Sequence, residues 1–67
     1  MNIVDVTIKL LNDRPTHTTL AKINAETGLP IQFLTRFGNG RVKLPPANDV
    51  QVLYEYLSGE KLFKVEG

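Results

Sequence analysis

Sixty-seven residues, 42% apolar and 22% charged, fit one small globular domain and not a disordered tail. The absence of cysteine excludes disulfides and thiolate metal sites, and a single histidine cannot build a multi-histidine one. The net charge of +1 does not by itself announce a polyanionic partner, but it is unevenly spread. Lys22, Arg36, Arg41 and Lys43 share the middle third with one acid, Glu26, whereas acids outnumber bases from Asp49 onward. No apolar run approaches the ~18 residues of a membrane span, and no charged-then-apolar leader opens the chain. The expectation is a soluble, cytoplasmic protein with no membrane partner. A core this small needs either tight packing or oligomerisation.

The first element, within Asn2 to Asp13, carries two periodicities. Val4, Val6, Ile8 and Leu10 alternate with polar residues, as in a strand. Val4, Ile8 and Leu11 also fall at helical spacing, and Asn2 fits an N-cap. Pro15 ends the element either way, because residues before proline avoid the helical region. Thr16, Thr18 and Thr19 then offer caps for a helix over about 19–27, with Leu20, Ile23 and Thr27 on one face. Gly28 stands where a helix stops in a left-handed residue, and Pro30 suits the first turn of a new helix.

In that next helix Leu34 and Phe37 face inward with Phe33 beside them. Gln32, Thr35, Arg36 and Asn39 recur at helical spacing as a polar stripe opposite. Gly38-Asn39-Gly40 breaks the helix, and Pro45-Pro46 forms a rigid connector. A last helix is signalled by Asn48 and Gln51 as a capping pair. Val50, Leu53, Tyr54 and Leu57 form its core stripe, and Ser58-Gly59 its end. Tyr54 and Tyr56 cannot both face inward on that helix. Leu62, Phe63 and Val65 make a short apolar tail between charges.

Two short helices around Gly28-Leu29-Pro30 are a helix-turn-helix arrangement. The stretch from Ile23 to Phe37 resembles the DNA-binding segment of the Cro and lambda-repressor-like family. Gly28 matches the family's turn glycine, Leu29 the apolar residue after it, and Leu34 the apolar residue five positions later. The likeness extends over about 20–57. Two positions depart from the pattern: Asn24 stands where alanine is usual, and Pro30 where a serine cap is common.

The resemblance implies an all-α, compact four-helix helix-turn-helix domain with a short C-terminal tail, its motif at about 19–38. It tips the first element toward helix. The alternative is an α+β Cro-like fold with short N- and C-terminal strands. It further implies that the second helix of the pair enters the major groove. Gln32 and Arg36 are then candidates for bidentate bonds to adenine and guanine, Thr35 for a base or thymine methyl, and Ile31 for a thymine methyl. Thr18, Thr19, Asn39, Arg41 and Lys43 are candidates for phosphate contacts. Ile31 also reads as a core-rim residue, and Arg41 and Lys43 as solubilising loop charges.

Two half-sites on DNA call for a homodimer, with Tyr56, Leu62, Phe63 and Val65 as candidate contacts. The expected function is a sequence-specific transcriptional regulator, a Cro-type repressor on a palindromic operator in double-stranded DNA. The alternatives are an antitoxin-like or adaptor protein-interaction module, or an architectural DNA binder. His17 reads as a solvated turn residue, and no serine–histidine–acid order or glycine-rich phosphate loop is present. Neither enzyme activity, cofactor nor small-molecule ligand is expected.

Overall fold

The computed structural model describes residues 2–59. Asn2 opens α1 (Ile3–Asn12), its side-chain oxygen accepting the Val4 N–H at 2.8 Å. The element is a helix because Val4, Thr7, Ile8 and Leu11 fall on one face, at spacings of three, four and seven. Leu11 is buried there, and Val4 and Ile8 pack against the core. Thr7, which reads as polar in the strand pattern, is fully buried. Its hydroxyl donates to the Ile3 carbonyl at 2.6 Å, so this polar group is satisfied within the helix. No strand occurs among the described residues, so the N-terminal strand of the α+β alternative is overturned.

Thr19, of the three candidate threonines, caps α2 (Leu20–Thr27), accepting the Lys22 N–H at 3.1 Å. Gly28 ends α2 in the left-handed region at φ 82°, which a side chain would strain. Pro30 is the N-cap of α3 (Ile31–Gly38), one position before the helical residues and with no side-chain cap bond. Pro46 does the same for α4 (Ala47–Ser58), which corrects the Asn48 cap. Proline's fixed φ, −58° here, pre-sets the extended entry, so the helix begins at once and Asn48 already lies inside its first turn. Asp49 in that turn complements the helix dipole.

Leu11, Ile23, Leu29, Leu34, Phe37, Val50 and Leu53 form one buried cluster to which all four helices contribute. Tyr56, and not Tyr54, is the tyrosine of α4 that packs against it, together with Leu57. The α4 stripe is thus rotated from the one expected, with Val50, Leu53 and Leu57 keeping their places.

The turn between α2 and α3 is fixed by side chains of α2. Thr27 Oγ1 accepts the Leu29 N–H at 3.2 Å and donates to the Ile23 carbonyl at 2.6 Å. Asn24 Nδ2 donates to the Leu29 carbonyl at 2.7 Å. Leu29 therefore has both backbone groups satisfied while its side chain enters the core. This explains an asparagine at the place where the resemblance leads one to expect alanine. Asn24→Ala strips a partner from that carbonyl, which costs about 1–2 kcal/mol and lowers the melting temperature by about 4–8 °C per kcal/mol in a domain this size. A thermal melt at or above the parent's would show that closer helix contact outweighs the bond.

Candidate nucleic-acid interface

Helix α3 is held by its buried side and presents the other. Leu34 and Phe37 are fully buried, with Phe33 stacked on Phe37 at 5.5 Å between ring centroids. Ile31, Gln32, Thr35 and Arg36 are exposed on the opposite face and line one shallow depression. Gln32 and Arg36 also border a second depression with Pro30, Phe33 and Val42, so they form a ridge between the two. Neither side chain makes a hydrogen bond or ion pair to another described residue. Both keep their donors free. The Thr35 hydroxyl, in contrast, donates its hydrogen to the Ile31 carbonyl at 3.0 Å. It retains lone pairs and a methyl, but no donor.

Past α3 the chain closes in a Schellman turn. Gly40, at φ 72°, donates its N–H to the Phe37 carbonyl at 3.0 Å, and the Arg41 N–H reaches the Arg36 carbonyl at 2.9 Å. Arg41 is therefore fixed beside the helix end that carries Arg36, where cations complement the exposed carbonyls. Asn39 caps the helix and is exposed. Lys43 is exposed two residues beyond Arg41, and no contact ties it to the others.

The second group of candidates lies at the start of α2. Thr19 spends an acceptor on the cap and keeps its hydroxyl hydrogen. Leu20, the next residue, lines a depression with Asn12, Arg14, Thr35 and Asn39, which brings this helix start and the C-terminal half of α3 to one surface. Thr18 is half-buried, and its carbonyl accepts from Arg14 Nε at 2.8 Å.

Two residues not singled out from the sequence hold this surface together. Arg14 also donates through Nη1 to the Leu11 carbonyl at 2.8 Å, clamping the end of α1 to the loop before α2. Asn12 Nδ2 donates to the Gly38 carbonyl at 3.0 Å and so satisfies the end of α3 from α1. A basic residue just past a helix end is a recognised partner for its last carbonyls, so Arg14 carried a local signal. The Asn12 bond spans 26 residues and carried none.

Charge reinforces the geometry. No acid occurs between Glu26 and Asp49. Lys22, Arg36, Arg41 and Lys43 are all exposed and without a carboxylate partner among the described residues, where the ion pair is Lys9–Asp13 at 3.1 Å. Glu26 itself is turned toward α4. A hydrogen bond with its carboxylate, followed by desolvation and charge repulsion, raises the Tyr56 phenol above its ordinary pKa. Tyr56 thus packs on the core under the influence of Glu26 of α2, while Leu62, Phe63 and Val65, the other candidate dimer contacts, lie outside the described residues.

No group of three or more metal-ligating side chains gathers among the described residues, and no described helix is long and apolar enough to cross a membrane. No protein-family model matches the chain, and neither does any curated protein or solved structure.

Proposed function

We propose that this chain binds double-stranded DNA in a sequence-specific manner through α3 and regulates transcription as a Cro-type repressor. The observation that carries the proposal is the exposed face of α3. It offers an amide and a guanidinium with free hydrogen-bonding groups, on a helix anchored by Leu34 and Phe37 and within an acid-free stretch. Those are the side chains that pair bidentately with adenine and guanine edges in the major groove. In this reading Arg41, whose amide bonds the end of α3, and Thr19, at the start of α2, would take phosphates and set the register. A homodimer would present two such helices to a palindromic operator.

Selection from a random duplex pool at near-physiological salt tests the proposal. An enriched palindrome with half-site centres about one helical turn apart supports it. Retention of no duplex, even at low salt, overturns it.

Lys43→Ala separates phosphate holding from base reading. Binding should weaken evenly across sequences, and the slope of log affinity against log salt should flatten by about one. A sequence-dependent loss would move Lys43 into the reading group.

The second reading, an antitoxin-like or adaptor interaction module, draws on Leu44, which is 92% exposed beside the basic loop, and on the acidic C-terminal third. An interface of mixed charge would show a shallow salt dependence where DNA binding shows a steep one.

A further inference from the structure

We propose that Asn39-Gly40 is a site of spontaneous covalent modification, where the Asn39 amide gives way to a carboxylate at a rate set by opening of the turn that closes α3. Asparagine is among the chemically labile residues, and a glycine after it leaves the attacking backbone nitrogen least hindered. Of the chain's asparagines Asn39 alone precedes a glycine; the others precede Ile3, Asp13, Ala25 and Asp49. Asn39 and Gly40 are both exposed, and the Asn39 side-chain amide bonds no other described residue. Nothing lies within 4 Å of where a Gly40 Cβ would stand, so space beside the dipeptide is open. The fold itself asks for that glycine, because φ 72° lies in the left-handed region. The turn that ends α3 therefore carries its own reactive pair.

Water is the only co-reactant. The Gly40 nitrogen, its proton taken by hydroxide, attacks Asn39 Cγ. The N–Cγ bond forms, the Cγ–Nδ2 bond breaks, and Nδ2 takes up a proton and leaves as ammonia. Water then opens the cyclic imide at Cγ, giving aspartate, or at the backbone carbonyl carbon, giving isoaspartate. No oxidation or reduction occurs.

Two features of the closed turn hold the reaction back. The Gly40 N–H donates to the Phe37 carbonyl at 3.0 Å, so its proton is engaged. Asn39 sits at ψ 2°, which keeps that nitrogen away from its side-chain carbonyl carbon. Ring closure needs ψ rotated until the nitrogen faces Cγ, and that rotation breaks the bond to Phe37. A solvent-exposed turn at a helix end opens at far smaller cost than the core. The product changes the surface: an anion appears in a stretch that has no acid between Glu26 and Asp49. Isoaspartate also adds a carbon to the main chain inside the ring closed by the Arg41–Arg36 bond.

The test incubates the full chain at mildly alkaline pH, in buffer and in urea, and follows the tryptic peptide from Phe37 to Arg41 by mass spectrometry. Asn48, also exposed but followed by Asp49, is the reference. Conversion of Asn39 ahead of Asn48 in buffer, and several-fold faster in urea, supports the proposal. No conversion ahead of Asn48 overturns the site, and equal rates in the two solvents overturn its control by the turn. Resting on the DNA-binding reading, Asn39→Asp should bind the selected duplex about two- to fivefold more weakly than Asn39→Gln. Equal affinities overturn that consequence alone. Failure to select any duplex overturns the DNA-binding reading, while the mass measurement still decides the modification.

Discussion

Phe37→Ala should destabilise the fold by about 3–5 kcal/mol and shift its unfolding midpoint sharply downward. Phe37 heads the fully buried side chains by volume, and it joins α3 to the core while stacking on Phe33. Truncating a buried phenylalanine to alanine costs about 3–5 kcal/mol, through lost transfer energy and the cavity left behind. A domain of this size has roughly 3–10 kcal/mol in total, at the usual stability per residue. No disulfide or thiolate metal site supplements it, since the chain lacks cysteine. The substitution therefore removes from about a third to all of the stability available. Urea titration followed by circular dichroism checks this, with Phe33→Ala as the control. Phe33 is only half-buried and should cost less. A cooperative Phe37→Ala transition near the parent's midpoint would show that the surrounding helices collapse into the gap.

Arg36→Ala should leave the fold intact and cost about 1–3 kcal/mol on the selected site, relaxing preference at one base pair. Arg36 is exposed and bonds no other described side chain, so its removal strips nothing from the core. Arg36→Lys is the sharper variant. It keeps the charge and loses the planar fork that pairs with guanine. Base preference should relax while the salt dependence stays as in the parent. Competition titrations with single-pair variants of the site, at two salt concentrations, separate these effects. If Arg36→Lys retained full preference at every pair, Arg36 would be a phosphate contact and not a reader.

The motif was legible because its signals are local. Thr19, Gly28 and Pro30 act through their own backbone geometry, and each marks its boundary within one residue. The polar stripe of α3 was equally legible, since exposure follows from the burial of Leu34 and Phe37 at helical spacing. The first element stayed ambiguous because Thr7 breaks the apolar stripe in the sequence; its burial depends on a hydroxyl bond to Ile3 that composition does not reveal. Asn48 misled because the proline before it fixes the helix start without a side-chain bond. The choice between Tyr54 and Tyr56 depends on how α4 is rotated against the core, which its own sequence does not fix. The clamps from Asn12 and Asn24 join side chain to distant or turn backbone, and such pairings exist only once the helices have docked.

The bond from the Arg41 amide to the Arg36 carbonyl has a mechanical consequence for the proposed complex. The loop bearing Arg41 cannot slide along α3 without uncoiling that helix's last turn. In that complex a backbone grip taken by the loop would be transmitted to the exposed face of α3 and would set the depth to which α3 seats in the groove. Strength of grip and fidelity of reading would in that sense be geared together through the two backbone hydrogen bonds of this turn, and any amino acid with an N–H at position 41 could make the one from Arg41.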